Sequence, residues 1–393
     1  MGERRFFNGN HALAHAVRLA GPEVVAAYPI TPQTAIIEKL AEFIADDQLD
    51  ADFIKVESEH SALCACFGAA CAGCRVFTAT CSQGLVYMCE MLPYVSSNRF
   101  PVVMAVANRS LAAPWTMWCD HQDSISMRDH GWIQLYVEDA QEALDTCLQA
   151  YRLAEDPEVL TPVMVCLDGF TLSHTDEMVD LPAPEEVGRF LPPYSPRHAI
   201  NLSEPATFSI GTPPDCYMEY KYSQQLAMEA ALSKIPQVAG EFEKCFHRHH
   251  GGLVKEYHCA DADLILVTMG SVTGTARFVA ENLRSKGKRA GVLKVRSFRP
   301  FPIREIASAL QNARGVGVLD RDCSFGNQGA LGTEVKSALF ESGSRPQVIN
   351  FIAGLSGRDI RPVDLEKMFT ALEEAVARPG SASPVNFIGL RCE

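Results

Sequence analysis

The stretch SEHSALCACFGAACAGCRVFTATCSQG, residues 58–84, decides the fold of this chain. Small apolar residues fill positions 60–72, which predicts a tightly packed helix. The apolar run at 75–79 then predicts a short buried strand, and a second helix is expected at 84–91. A strand enclosed by two helices is the unit from which parallel sheets are built.

The five cysteines of this stretch raise the question of a metal site. Cys66, Cys71 and Cys74 have the spacing of plant-type iron–sulfur ligands. On a helix, however, Cys66 and Cys71 point about 140° apart, so the two thiols cannot converge on one cluster. Cysteine also behaves as a small hydrophobic residue that is often buried. We therefore interpret these cysteines as packing residues and expect no metal site in this chain.

A β-α rhythm extends outward from residues 58–84 in both directions. Strands are predicted at 24–28, 53–56, 75–79, 102–107, 133–136 and 163–167. Helices are predicted between them at 33–44, 60–72, 84–91 and 140–155. This alternation predicts an α/β fold with a mostly parallel sheet covered by helices on both faces. In such folds, ligands bind at the carboxyl ends of the strands.

The composition changes near the middle of the chain and the rhythm then restarts. Residues 181–214 are rich in proline and lack periodicity, which indicates a surface connector, and a helix is predicted at 222–247. Further strands are predicted at 264–269, 291–295, 315–319 and 347–352, each followed by a helix. We therefore predict two parallel-sheet α/β domains, at 1–180 and 257–393, joined by a connector and helix at 181–256.

Composition and charge exclude several classes of partner. With 47% hydrophobic and 21% charged residues, the 393-residue chain is typical of a globular protein. Its net charge of −13 argues against nucleic acid and anionic membranes as partners. The sequence contains neither a signal peptide nor an apolar run long enough for a membrane span. Fourteen cysteines without an export signal predict free thiols in the cytoplasm.

Polar residues follow three of the predicted strands. The two prolines of YPITP at 28–32 form a stiff loop that fixes the Thr31 hydroxyl, or only a good strand–helix connection. Glu59 begins a helix, where a carboxylate is favourable for structural reasons alone, but it also stands where ligands bind. Arg109 ends a strand and could bind a planar carboxylate in bidentate fashion, although surface arginines are common.

Motifs in both halves of the chain resemble a known family. The first half carries YPITP at 28–32, ESEHSA at 57–62, TATCSQGL at 78–85, ANRSLAAPW at 107–115 and DHQDSISMRDHGWIQ at 120–134. The second half carries LVTMGSVTGTA at 266–276, VRSFRPFP at 295–302, VLDRDCSFGNQGALGTEV at 318–335 and INFIAGLSGRDI at 349–360. Together they resemble the α subunit of 2-oxoacid:ferredoxin oxidoreductases, with the pyruvate synthase type nearest in kind.

The resemblance implies a role for each candidate residue. The first domain would be of the type that binds the pyrimidine side of thiamine diphosphate, and the second would be transketolase C-terminal-like. Glu59 matches the family's activating glutamate, which places a carboxylate beside a nitrogen of the cofactor ring. Thr31 and Arg109 match the positions that hold the carboxylate and carbonyl of the 2-oxoacid. Pro29 would lie against the cofactor ring.

The resemblance also implies partner chains. Thiamine enzymes usually bind the diphosphate and its Mg²⁺ through a Gly-Asp-Gly segment, which this sequence lacks. We therefore expect a diphosphate-binding β subunit, a γ subunit and a ferredoxin-like δ subunit with [4Fe–4S] clusters, in a dimer of hetero-oligomers. The expected reaction converts a 2-oxoacid and coenzyme A to acyl-CoA, CO2 and reduced ferredoxin, or a similar acceptor, in anaerobic metabolism.

The sequence leaves alternatives to this function open. Pyruvate is the favoured substrate, but Trp115 and Trp118 could line a pocket for a branched-chain or aromatic 2-oxoacid such as phenylglyoxylate. The chain could also be a non-catalytic assembly subunit. The presence of Glu59, Thr31 and Arg109 together argues against that alternative.

Overall fold

The computed structural model describes residues 2–380 and 383–391. The strands within these residues are β1 Glu3–Phe7, β2 Val24–Ala27, β3 Asp52–Lys55, β4 Val76–Thr80, β5 Val103–Asn108, β6 Ile133–Tyr136, β7 Val163–Asp168, β8 Glu177–Leu181, β9 Val254–Tyr257, β10 Leu264–Thr268, β11 Ala290–Val295, β12 Ser297–Arg299, β13 Gly315–Asp320, β14 Gln347–Ile352 and β15 Val385–Phe387.

Helices connect most of these strands. The α-helices are α1 Gly9–Ala20, α2 Thr34–Ala45, α3 Glu59–Cys71, α4 Ser82–Tyr87, α5 Met91–Ser97, α6 Gln122–Ser126, α7 Ala140–Ala154, α8 Pro184–Phe190, α9 Pro214–Phe246, α10 Val272–Ser285, α11 Ile303–Leu310, α12 Ala330–Ser342 and α13 Pro362–Ala377. A short 3₁₀ helix spans Leu355–Gly357. None of the helices described in these residues is long and apolar enough to cross a membrane.

The first sheet has seven strands in the order β12-β6-β7-β5-β4-β2-β3. Six of them run parallel, and only β12 at the edge is antiparallel to its neighbour β6. The second sheet has the order β15-β14-β13-β10-β11-β9, with β9 as its antiparallel edge. β1 and β8 form a separate antiparallel pair. The predicted α/β architecture with two mostly parallel sheets is confirmed.

Local signals explain the helix that follows β3. Ser58 caps α3 by accepting a hydrogen bond from the Ser61 N–H, which satisfies one of the free donors of the first turn. Cys66 and Cys71 are buried and pack in a core cluster with the strands of the first sheet. Burial raises the pKa of the Cys66 thiol to about 12. Both side chains therefore occupy the packing positions that the sequence predicted for them.

Three hydrophobic clusters hold the layers together. One lies between the first sheet and the helices α1, α2, α7 and α9, which cover one of its faces. A second cluster runs without interruption from α3 and the first sheet to β10, β11 and α12 of the second sheet. The third covers the other face of the second sheet, beneath α10 and α13. Because the middle cluster is shared, the two sheets are packed against each other through a common core.

The structure differs from the predictions in the middle of the chain. The predicted connector at 181–214 begins at the last residue of β8 and contains α8, and the helix predicted at 222–247 already begins at Pro214. Proline is compatible with the first turn of a helix because no intrahelical acceptor is needed there. β12 follows β11 in the sequence but belongs to the first sheet, because it pairs with β6.

A buried ion-pair cluster connects the two halves. Lys294 on β11 bonds Glu142 on α7 and lies 3.1 Å from Glu138, and Arg296 lies 3.3 Å from Glu142. Lys294, Glu142 and Arg296 are almost completely buried. Burial raises the pKa of Glu142, but the charges of Lys294, His250 and Arg296 outweigh it and lower the pKa to about 2.

The lowered pKa of Glu142 predicts a loss of stability in acid. The unfolded state takes up this proton near the ordinary pKa of 4.5, so the contribution is present above about pH 4.5 and is lost as the pH falls towards about 2. We expect Glu142→Gln to destabilise the chain at neutral pH by about 3 kcal/mol, because it leaves the buried Arg296 without a carboxylate and Lys294 with Glu138 alone. Thermal unfolding between about pH 5 and pH 3 should then depend less on pH than in the unmodified chain.

Glu305→Gln is the matched control for this measurement, because Glu305 is exposed on the surface of α11. It should leave the melting temperature and its pH dependence unchanged. Parallel melting curves for the Glu142→Gln and unmodified chains across this pH range would contradict the assignment.

Candidate active site

Four loops meet at one edge of the first sheet. Strands β3, β2, β4 and β5 lie side by side and run parallel, so their carboxyl ends open at the same edge. The loop after β2 carries Thr31, and α3 after β3 begins at Glu59. The loop after β4 leads to Gly84 on α4, and Arg109 directly follows β5. Sheet topology therefore brings together residues far apart in sequence.

Glu59 carries a largely buried carboxylate. The residue is 8% exposed, and within residues 2–380 and 383–391 no group donates a hydrogen bond to it. The nearby hydroxyl of Thr80 is also buried and lacks a partner among these residues. Buried polar groups normally have hydrogen-bond partners, so two such groups side by side indicate a site for a ligand with polar atoms.

Gly84 shapes the space beside this carboxylate. A Cβ atom added to Gly84 would lie 2.6 Å from Glu59 Oε1 and 2.6 Å from Thr80 Oγ1. No side chain larger than hydrogen therefore fits between α3 and α4 without moving Glu59. The N-terminus of α3 adds a favourable field for the ionised carboxylate.

Arg109 is held in a fixed orientation beside Thr31. Its Nε donates to the Thr116 carbonyl at 2.9 Å, and its Nη1 donates to the Thr31 carbonyl at 3.0 Å. The ring of Trp115 lies against the guanidinium, 5.4 Å from Cζ to the ring centroid. Within the described residues, Nη2 makes no hydrogen bond. One edge of a preoriented guanidinium therefore remains open to an acidic ligand.

The loop after β2 lines the same edge. Tyr28, Pro29 and Thr31 are exposed there, and the buried thiol of Cys81 contacts the Thr31 carbonyl at 3.3 Å. Burial raises the pKa of Cys81 well above its ordinary value, so this thiol is protonated at neutral pH. Cys81 therefore supports the loop and does not act as a nucleophile.

Asp123 connects the loops and was missed as a functional residue in the sequence. Its carboxylate accepts hydrogen bonds from the Ser82 N–H at 2.8 Å and the Arg109 N–H at 3.0 Å. The Asn108 side chain and the Ser124 N–H complete the set, at 2.7 and 2.8 Å. Burial raises the pKa of Asp123, and these four bonds act in the opposite direction.

Asp168 links the same edge to the second sheet. Its carboxylate bonds His121 Nε2 at 2.7 Å and Arg321 Nη1 at 2.6 Å, and it accepts from the Ser271 N–H at 2.9 Å. Burial raises the pKa of Asp168, but the positive charge of Arg321 and the bonds from His121 and Ser271 outweigh it, and the pKa lies far below its ordinary value. Asp168 is therefore a buried anion that joins the halves of the chain.

The second half also supports the loop that contains Trp115 and Trp118. The Gly357 N–H donates to the Cys119 carbonyl at 2.6 Å, and Ser356 bonds Thr116 at 2.6 Å between their hydroxyl groups. A Cβ on Gly357, whose φ is +67°, would lie 2.7 Å from Cβ of Trp118. The two tryptophans remain 68% and 52% exposed, so the supported loop presents aromatic surface at the site edge.

The residues predicted from sequence thus lie at one edge, and their roles stay predictions. Glu59 borders Gly84, and the Thr31 carbonyl contacts both Cys81 and Arg109. Pro29 lies in the same loop as Thr31. Sequence reasoning missed Asp123, which lies between two predicted strands, and Asp168 and Arg321, whose only signal was a charged residue directly after or near a predicted strand end. Within the described residues, no group of three or more His, Cys, Asp or Glu side chains is arranged to hold a metal ion.

The fold and this edge define a class of protein. A parallel α/β sheet with a carboxylate and a guanidinium at the carboxyl ends of its strands is typical of proteins that bind a ligand at that edge. Two family models identify the class more closely. The model for pyruvate flavodoxin/ferredoxin oxidoreductase, thiamine diphosphate-binding, matches residues 15–239. The model for pyruvate:ferredoxin oxidoreductase core domain II matches residues 262–365.

Known proteins support the same assignment. The chain is 50% identical to the pyruvate synthase subunit PorA of Methanocaldococcus jannaschii over 95% of its length and 96% of the relative. It is 44% identical to the ketoisovalerate oxidoreductase subunit VorA of Pyrococcus abyssi, over 95% and 94% of the two chains. The chain belongs to the pyruvate:ferredoxin oxidoreductase family, and the resemblance to 2-oxoacid:ferredoxin oxidoreductase α subunits is confirmed.

A solved structure agrees with the fold. The 2-oxoglutarate:ferredoxin oxidoreductase from Magnetococcus marinus superposes with a TM-score of 0.72 at 19% identity. The match covers 95% of this chain and 66% of the other, so the chain spans about two thirds of that protein's length. At this identity the likeness concerns the arrangement of strands and helices alone, and it confirms the predicted fold class.

The space between Gly84, the Glu59 carboxylate and the Thr80 hydroxyl forms a notch, and its role can be tested directly. We expect Gly84→Ala to displace the Glu59 carboxylate, because the added methyl group would overlap Oε1. A displacement of roughly 1 Å at a reacting group costs about 100-fold in rate. The measurement is 2-oxoacid oxidation by the chain purified with its partner subunits.

Gly68→Ala is the control, because it lies on the same helix α3 as Glu59 and its added Cβ would meet open space. It should keep full activity and raise the stability by about 0.5–1 kcal/mol. Full activity of Gly84→Ala, with Glu59 required, would show that the notch is not part of the site.

Proposed function

We propose that this chain is the α subunit of a thiamine-dependent pyruvate:ferredoxin oxidoreductase. The complete enzyme would convert pyruvate and coenzyme A to acetyl-CoA and CO2 and pass two electrons to ferredoxin or a similar acceptor. The observation that carries the proposal is the buried Glu59 carboxylate, which lacks any donor among the described residues and faces the notch at Gly84. The relatives named as pyruvate synthase subunits support pyruvate as the substrate.

The residues present fit the pyrimidine end of thiamine diphosphate. That ring carries nitrogen atoms that can share a proton with a carboxylate, and Glu59 with the Thr80 hydroxyl offers two unpaired polar groups in one small space. Pro29 and Tyr28 are exposed in the adjacent loop, where they could contact a flat ring. When bound, thiamine diphosphate supplies the nucleophilic carbon that attacks the 2-oxo group of the substrate.

Each site residue then has a defined task. Glu59 would hold a proton between its carboxylate and a ring nitrogen, at a largely buried position. Arg109 would bind the substrate carboxylate through its open Nη2 edge, because two carbonyls already fix its orientation. The exposed hydroxyl of Thr31, which makes no bond within the described residues, would donate to the carbonyl oxygen of the substrate.

Partner chains complete the proposed enzyme. A β subunit would hold the diphosphate and Mg²⁺, because the Gly-Asp-Gly segment typical of that half is absent from this sequence. A γ subunit and a ferredoxin-like δ subunit with [4Fe–4S] clusters would carry the electrons, in a dimer of hetero-oligomers in the cytoplasm. We also keep the division into domains at 1–180 and 257–393, joined by 181–256, as part of the proposal.

Glu59→Gln in the reconstituted complex tests the proposed role. Glutamine keeps the size of the side chain but cannot take a proton, so we expect pyruvate decarboxylation to fall at least about 100-fold, the contribution typical of a general acid–base group. The assay is reduction of a ferredoxin or viologen acceptor with pyruvate and coenzyme A. Glu57→Gln, two residues earlier and exposed, is the control and should keep normal activity. Unchanged turnover in Glu59→Gln would favour the non-catalytic assembly role.

Arg109→Lys tests the substrate carboxylate. Lysine keeps the positive charge but lacks the planar guanidinium. It therefore cannot donate to the carbonyls of Thr31 and Thr116 and to the substrate carboxylate at the same time. We expect KM for pyruvate to rise at least about tenfold, the equivalent of one charge-assisted hydrogen bond, with a smaller effect on kcat. An unchanged KM would place the substrate carboxylate elsewhere.

A further inference from the structure

A cavity with two arginines in its wall lies far from the candidate active site. It encloses about 190 Å³ and is lined by Arg99, Pro157, Leu160, Arg197 and His198. Arg99 precedes β5, and Leu160 precedes β7, so the cavity lies at the amino edge of the first sheet. The candidate active site lies at the carboxyl edge of the same strands, roughly 20 Å away along a six-residue strand. We call this cavity the amino-edge pocket.

Arg99 is built firmly into the wall of the amino-edge pocket. Its Nε donates to the Leu160 carbonyl at 3.0 Å, and its Nη2 donates to the Val159 carbonyl at 2.7 Å. A third bond at 3.3 Å joins Nη1 to the Ser223 carbonyl on α9. Three of the five N–H groups of the guanidinium are thereby used, and the other two remain open. The orientation of this charge is therefore fixed before any ligand arrives.

Arg197 and His198 supply further open donors from the connector. Arg197 makes one bond, from Nη1 to the Pro157 carbonyl at 3.3 Å, and His198 makes none within residues 2–380 and 383–391. Neither side chain, nor Arg99, forms an ion pair among these residues. Arg197 and His198 are exposed and Arg99 is partly buried. Other buried or partly buried arginines have carboxylate partners, for example Arg75 with Glu155 and Arg248 with Asp145.

The charges at this cavity repel one another. Burial and then the positive charge of Arg197 lower the pKa of Arg99. Burial, Arg197 and Arg99 likewise lower the pKa of His198. Arg99 and Arg197 thus place two guanidinium groups at one cavity with no carboxylate partner among the described residues. A bound anion would supply the missing counter-charge.

We propose that the amino-edge pocket binds an oxyanion of the phosphate type through Arg99, Arg197 and His198. Guanidinium groups match the oxygens of a phosphate in bidentate fashion, and the open N–H groups outnumber the two oxygens of a carboxylate. The volume of about 190 Å³ accommodates a phosphate group. The phosphate could be the free ion or the terminal group of a phosphate ester whose remainder stays outside.

Calorimetric titration of the purified complex with inorganic phosphate tests the site. The buffer contains no other polyvalent anion, and chloride keeps the ionic strength constant, because charge interactions are screened by salt. We expect one phosphate to bind per copy of this chain. Arg197→Gln should weaken binding at least tenfold, and His198→Gln should weaken it by a smaller factor. Both variants should keep the 2-oxoacid oxidation of the unmodified complex, because neither lies at the carboxyl edge.

Arg304→Gln is the matched control, because Arg304 is exposed on the second half of the chain and lies outside the pocket. It should leave phosphate binding unchanged. Parallel titrations with glycerol phosphate and acetate distinguish the sources. Tighter binding of the free ion or of the ester supports the proposal and tells which of them the pocket takes. Absence of phosphate binding, equal binding of acetate, or equal affinity in the Arg197→Gln variant would each overturn it.

Discussion

Four hydrogen bonds to one buried carboxylate hold the candidate active site in shape. Asp123 accepts the N–H groups of Ser82 and Arg109, which begin the segments after two adjacent strands, β4 and β5. A carboxylate can only accept, and a buried N–H left without an acceptor costs about 1–3 kcal/mol. Neither segment can therefore shift alone. Because Gly84 follows Ser82 on α4, this interaction also fixes the notch beside the Glu59 carboxylate.

The second half of the chain holds the candidate active site in position through contacts with Asp168 and with the loop that carries Trp118. Its Arg321 and Ser271 bind Asp168 at the end of β7, and the turn at Gly357 holds the loop that carries Trp118. A buried ion pair of this kind gains little stability over apolar packing, but loss of one partner leaves a charge stranded in the interior. The contact therefore favours one arrangement of the two sheets. A domain that contributes no residue to the proposed chemistry can in this way determine the geometry of the site.

Sequence periodicity predicted the first sheet and its site edge because both follow from local patterns. Apolar runs mark the strands, and a parallel sheet places the residues that follow its strands at one edge, which is how Glu59 and Arg109 were found. α1 was missed although Asn8 caps its start and Gly21, with φ of +63°, ends it. The pairing of β12 with β6 and the bond between Asp168 and Arg321 join residues that are more than 150 positions apart. No local pattern contains that information, so such contacts become visible only in the structure.

Discrimination among 2-oxoacids has to depend on the part of the substrate in which they differ, which is the side chain. Relatives named for pyruvate and for ketoisovalerate are similar to this chain at 50% and 44% identity. Every 2-oxoacid presents the same carboxylate and carbonyl, so Arg109 and Thr31 would serve each of them equally. A larger side chain adds only apolar contact, worth about 1–3 kcal/mol for one methylene group. Trp115 packs on the Arg109 guanidinium and is largely exposed, so in the proposed site the loop around it would limit that side chain. The second half of the chain, which fixes this loop through Ser356 and Gly357, would thereby influence specificity without contacting the substrate.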